Sequence, residues 1–161
     1  MKQLKAFKFQ LKTNEAEAAQ LRRFGGCCRL VWNKALAMQK ERLDSKQSIL
    51  NYPKMAGELI KWKYAPETTF LSEAPAQALQ QTLKNLDRAL RDAFNKKSPK
   101  RFPRFKKKGT GDSFRYPQGF KIDEANSRVF LPEIAWVSYR NSRAIEGTAK
   151  NITLSESGGA A

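Results

Sequence analysis

A chain of 161 residues, 40% of them hydrophobic, is long enough for one cored domain, or for a small domain with a sizeable insertion, and too short for two large ones. Its 31 Lys and Arg against 15 Asp and Glu give a formal charge of +16, which repels itself unless a polyanion neutralises it; nucleic acid is the expected partner, with a ribosomal-type structural role, a membrane-surface role and plain solubility as competing readings. No run of 18 apolar residues occurs and the opening MKQLKAFKFQLK alternates Lys with apolar residues, so the sequence predicts no membrane span, no signal peptide and a cytoplasmic setting.

Phe7, Phe9 and Leu11 alternate with Lys8, Gln10 and Lys12, the period-two pattern of a strand with one buried face. Asn14, with Glu17 three residues later, makes a capping-box start. Leu21, Phe24, Cys28, Val31 or Trp32, and Ala35 then recur at three- and four-residue steps, which predicts a long amphipathic helix ending near Leu43. Gly25 and Gly26 inside it each cost about 1 kcal/mol relative to Ala and point to close packing or a local irregularity. Cys27 and Cys28 are adjacent, without the spacing of zinc ligands or of an ordinary disulfide, and are read as small core residues. Residues 45–53 read as a loop and 54–63 as a short helix carrying Met55, Leu59 and Trp62 on one side. Ser72 is the expected cap of the next helix, with Pro75 in its first turn, and Leu79, Leu83, Leu86, Leu90 and Phe94 draw its apolar stripe.

After Phe94 the grammar changes. NKKSPKRFPRFKKKGTGDSF holds two prolines, two glycines and almost no aliphatic residue, and reads as a basic connector. Residues 113–116, 120–122, 128–131, 134–139 and 151–155 are short β-like pieces separated by turn-forming residues. The order strand, helices, strands predicts an α+β fold, one sheet or barrel with a helical unit inserted after the first strand. The expected division is 1–12 with 109–161 for the β part, 13–95 for the helical insertion and 96–108 for the connector.

The densest chemical signal is Lys96, Lys97, Lys100, Arg101, Arg104, Lys106, Lys107 and Lys108, cations with no acid among them and with Phe102 and Phe105 interleaved. Cations bind phosphates, and aromatic rings either stack on bases or anchor the segment to the core; anchoring is the favoured reading for these two phenylalanines. Arg115 follows on the first strand beyond the connector as a further phosphate candidate. Arg140, Asn141, Ser142 and Arg143 come directly after the aromatic strand Trp136-Val137-Ser138-Tyr139, where arginine forks suit a phosphate backbone; an ordinary charged turn is the competing reading. The chain has no histidine, which removes histidine-dependent nucleases, histidine-metal nicking enzymes and histidine-based zinc hydrolases. Carboxylates alone can hold hard cations, but Asp123 and Glu124 fall in an expected hairpin turn, and Glu41, Asp87 and Asp92 lie among basic partners, so neither a metal site nor a catalytic residue is expected here.

FPRFKKKGTGDSFRYPQ (102–118) followed by LPEIAWVSYRNSRAIEGTAKNITLS (131–155) resembles the N-terminal region of the TnpB family, also called OrfB, of bacterial insertion sequences. CCRLVWNKAL (27–36) resembles that family's Arg-hydrophobic-aromatic-Asn helix, and FLSEAPAQALQQTLKNLDRALRDAF (70–94) its Leu-Gln helix before the basic connector. The resemblance implies a relative of RNA-guided DNA endonucleases, similar to the ancestors of type V CRISPR effectors, with a transposon-derived guide RNA and target DNA as partners in a bacterial, nucleoid-associated setting. It also implies a wedge-like β-barrel with a helical recognition unit inserted after the first strand, a region often described as helix-turn-helix. Tyr52 and Gln80 match positions that approach the short motif beside the target, while Ala76 replaces a neighbouring basic contact.

The family's RuvC-like nuclease, with its carboxylates and a divalent metal such as Mg²⁺, and its four-cysteine zinc ribbon follow the point where this sequence stops at Gly158-Gly159-Ala160-Ala161. The expectation is a chain that binds guide RNA and target DNA without cutting and holds no cofactor of its own. Its rivals are one half of a split endonuclease completed by a separately encoded nuclease half, and a DNA-binding regulator of its transposon.

Overall fold

A computed structural model describes residues 4–108 and 112–156. In chain order these form β1 (Leu11–Lys12), α1 (Glu15–Asp44), α2 (Tyr52–Tyr64), a 3₁₀ segment (Pro66–Glu73), α3 (Ala76–Phe94), β2 (Phe114–Tyr116), β3 (Lys121–Asp123), β4 (Arg128–Leu131), β5 (Ala135–Tyr139) and β6 (Ile152–Leu154). The chain is therefore α+β, as the sequence predicts.

α1 starts where the capping box places it. Asn14 Oδ1 accepts the Glu17 N–H at 2.7 Å, and the Glu17 carboxylate accepts the Asn14 N–H at 3.0 Å. Its inner face buries Phe24, Cys27, Cys28, Val31, Ala35 and Leu36, and both cysteines are free thiols. A Cβ on Gly25 would lie 3.4 Å from the backbone oxygen of Asp112, so close passage of the 112–114 segment accounts for that glycine; among the described residues a Cβ on Gly26 would meet the Arg29 guanidinium, at 3.6 Å.

α2 begins two residues before the expected start, because Asn51 caps it by accepting the Lys54 N–H at 3.2 Å. Ser72 does not cap α3. Its hydroxyl donates to the Thr69 carbonyl at 2.7 Å inside the unforeseen 3₁₀ segment, and Pro75 takes the N-cap position without a side-chain bond. Leu79, Leu83, Leu86 and Leu90 are buried as the stripe requires, whereas Phe94 at the helix end is 51% exposed and leans edge-on against Phe102, ring centroids 6.1 Å apart.

Four strands form one antiparallel sheet in the order β1-β5-β4-β3, and β2 pairs with β6 as a separate ribbon. The expected closed barrel is not formed among the described residues: β2 and β6 bond only to each other, so two sheet edges never meet. The opening strand is also shorter than its alternation suggests. Beyond Leu11–Lys12 it keeps one rung, Arg140 N–H to Gln10 carbonyl at 2.8 Å, and an edge-on contact of Phe9 with Tyr139 at 5.3 Å. The buried sheet face, with Val129, Leu131, Val137 and Tyr139, shares one apolar core with the helices, and Phe114 links it to α1 by an edge-on contact with Phe24 at 6.4 Å. Among the described residues no helix is long and apolar enough to cross a membrane.

Candidate nucleic-acid interface

The connector returns along α1, and one turn of that helix fixes its backbone. Trp32 Nε1–H donates to the Arg104 carbonyl at 2.8 Å. Asn33 Nδ2–H donates to the Lys106 carbonyl at 2.9 Å while its Oδ1 accepts the Lys106 N–H at 2.7 Å, so a side-chain amide satisfies both backbone groups of that residue. Arg29 pairs with Asp112 just beyond the connector. The motif Arg29-Leu30-Val31-Trp32-Asn33 thus acts as a clamp, a role that its sequence did not disclose.

With the backbone held, the side chains divide. Lys96, Lys97, Arg101, Arg104 and Lys108 are exposed and have no acidic partner among the described residues, and Lys107 is exposed beside them. Lys100 is different: its ammonium sits 3.1 Å from Asp92, tying the start of the connector to the end of α3. Phe102 is half-buried and serves as an anchor. Phe105 is 46% exposed, with the Lys40 ammonium 4.7 Å from its centroid.

Lys106 alone turns inward, its ammonium 4.3 Å from the Trp32 ring centroid. Burial lowers its pKa from the ordinary lysine value, partly offset by Cys28 and Asp112. It lines a polar cleft with Gln81 and Asn85 of α3, Ser113, Arg115 of β2 and Thr153 of β6. Gln81 Nε2–H donates to Asn85 Oδ1 at 2.9 Å, which orients both amides along the cleft wall. Lys106 and Arg115 are therefore brought together although nine positions apart, and the cleft combines two cations with amides and hydroxyls, a donor set suited to a sugar-phosphate segment. Gln81, Asn85, Ser113 and Thr153 were missed by sequence reasoning; the stripe of α3, which places Thr82 and Leu83 inward, was the available signal for Gln81 and Asn85.

Gln80 is exposed on α3 outside that lining, one helical turn before Lys84 on the same stripe. The Lys84 ammonium lies 5.3 Å from the ring centroid of half-buried Tyr52, so Tyr52 and the Gln80–Lys84 edge form a second small surface. Arg140 to Arg143 lie elsewhere, after β5. Asn141 Nδ2–H donates to the Glu124 carbonyl at 3.3 Å and Ser142 N–H to the Arg140 carbonyl at 3.0 Å, so the turn is tied to the β3–β4 hairpin. The guanidinium groups of Arg140 and Arg143 are exposed without acidic partners among the described residues. Among those residues no three His, Cys, Asp or Glu side chains gather as metal ligands.

Comparison with known proteins gives three results. The helix-turn-helix domain model HTH_OrfB_IS605 matches residues 1–48, a span whose described part folds as β1 and the single helix α1 rather than as two helices. The Escherichia coli K12 protein named "Putative RNA-guided DNA endonuclease InsQ" is 50% identical over 159 residues, which is 99% of this chain and 39% of that protein. A Streptomyces pristinaespiralis protein named "Putative RNA-guided DNA endonuclease" is 38% identical over 107 residues, 66% of this chain and 26% of its own length. The chain thus spans well under half of either relative.

Proposed function

Because the chain belongs to the TnpB/OrfB family of transposon proteins, we propose that it is a nucleic-acid-binding part of such a protein, holding guide RNA and target DNA without cutting them. The observation that carries this reading is the clamped connector: Trp32 and Asn33 fix its backbone at Arg104 and Lys106, while Lys96, Lys97, Arg101, Arg104, Lys107 and Lys108 stand exposed along it and Lys106 joins Arg115 in the cleft. Arg140 and Arg143 supply a further phosphate contact, and Tyr52 with Gln80 faces the duplex beside the target. Residues 13–95 act as the recognition insertion, 96–108 as the connector, and 1–12 with 109–161 as a wedge-like unit.

The test is sequencing of RNA that copurifies with the chain from cells, with a cleavage assay on duplex DNA beside it. Structured RNA from a transposon end, and no cutting with Mg²⁺, are expected. Metal-dependent cutting by this chain alone would overturn the non-cutting half of the proposal. Tight duplex binding by RNA-free protein would replace it with a regulator, and cutting only after a second polypeptide is added would replace it with a split endonuclease.

A further inference from the structure

The outward face of the four-stranded sheet carries two aromatic rings where solvent-facing positions ordinarily hold polar residues. Phe130 of β4 stands directly opposite Trp136 of β5, the rings edge-on at 5.6 Å, and Trp136 is 38% exposed. Their strand neighbours Val129, Leu131 and Val137 are buried on the opposite face, so these rings do not belong to the core. Register continues the row to Lys121 of β3, opposite Phe130, with its ammonium 5.9 Å from that ring. A second row, Arg128, Ser138 and Lys12, crosses β4, β5 and β1 two residues away, about 7 Å along the strands. The Arg128 guanidinium lies 4.4 Å from the Trp136 centroid, and its Nε–H donates to Asp123 at 3.0 Å, which fixes the group in place.

We propose that this face is a stacking platform for single-stranded nucleic acid: bases stack on Trp136 and Phe130, and Lys121, Arg128 and Lys12 meet the phosphates. A row of rings beside a row of cations, separated on the scale of one nucleotide, is how a sheet reads unpaired bases, since every base offers a π-face and a duplex does not. Charge complementarity selects the occupant. The face adds three cations against Asp123 alone, in a chain of formal charge +16, and repels a basic partner or a second copy of itself. The inference rests on the chain being a nucleic-acid binder, but it concerns a surface outside the connector and the cleft.

The experiment titrates the full chain with fluorescein-labelled oligo-uridylate RNA, oligo-thymidylate DNA and a duplex of the same length, over a range of salt. Trp136→Leu weakens binding of the single strands roughly tenfold, leaves the salt slope unchanged and leaves duplex binding unchanged. Trp136→Tyr retains the affinity, and Phe130→Leu gives a second, independent loss should the first variant fold poorly by circular dichroism. The two single strands report which sugar is preferred. Folded Trp136→Leu and Phe130→Leu variants that bind single strands like the parent overturn the platform. Loss of binding in Lys107→Ala/Lys108→Ala with none in the aromatic variants refutes the platform alone; a parent chain that binds no nucleic acid refutes the broader proposal with it.

Discussion

Replacing Asn33 with Ala removes both bonds that its amide makes to Lys106, at 2.9 and 2.7 Å, and leaves the Lys106 N–H and carbonyl to find water. Each such bond contributes about 1 kcal/mol net, so the connector is destabilised by about 2 kcal/mol. If the connector opens by itself, that figure appears as a roughly thirtyfold faster amide exchange at Lys106. If connector and core open together, it appears as a Tm lower by about 4 to 8 °C for a chain of this length. Hydrogen exchange by mass spectrometry on the 102–108 peptide, with a thermal melt alongside, separates the two cases. Asn33→Asp keeps the acceptor for the Lys106 N–H and loses the donor, so it falls between the parent and Asn33→Ala. The same variants lower nucleic-acid affinity, because the exposed cations must then be ordered during binding. Unchanged exchange across 102–108 together with an unchanged Tm would refute the clamp.

Three further outcomes follow from the site. Lys107→Ala/Lys108→Ala weakens binding about equally for all sequences and reduces the salt dependence of affinity by about 0.9 log unit per decade of salt for each lost phosphate contact on duplex DNA; an unchanged slope removes these residues from the interface. Lys106 has a pKa lowered by burial, so it loses its charge at a lower pH than an exposed lysine, and affinity falls earlier as pH rises than in Lys106→Arg, whose charge persists; fluorescence anisotropy across alkaline pH reads the difference, and identical profiles would exclude Lys106 from binding. Burial pushes the Cys28 thiol from 9.0 up to about 11, so its contribution to stability is complete below about pH 9 and is lost as pH rises to about 11, a change of about 3 kcal/mol that denaturant unfolding detects as a steeper alkaline loss in the parent than in Cys28→Ala.

Local chemistry was legible in the sequence and long-range register was not. The start of α1 could be read because Asn14 and Glu17 satisfy each other within one turn, and the stripe of α3 because Leu79, Leu83, Leu86 and Leu90 repeat at helical spacing. Ser72 misled because its hydroxyl is taken by the Thr69 carbonyl, a competition that depends on the 3₁₀ turn before it. Barrel closure could not be judged from alternating residues: period two assigns faces but not partners, and β2 finds β6 rather than the sheet. The same limit hid the aromatic row, since Trp136 was visible in its strand while Phe130 joins it only through the β4–β5 register.

The connector shows how fold and function are linked. Its cations were plain in the sequence, yet nothing local separates Lys106 from Lys107 and Lys108; the distinction comes from Trp32 and Asn33, more than 70 positions earlier. A free basic segment would have to order its backbone when it meets a polyanion, at roughly 1 to 2 kcal/mol per residue. Bonding at Arg104 and Lys106 orders it beforehand, and the burial of Trp32 and the apolar face of α1 holds those donors in place. The excess of cations, a formal +16 for the chain, opposes compaction by self-repulsion, which a bound polyanion would relieve. On the proposed function, packing of α1 against α3 and β2 does more than stabilise the fold: it orders the connector and cleft before a polyanion arrives, and core stability and nucleic-acid affinity are then expected to change together.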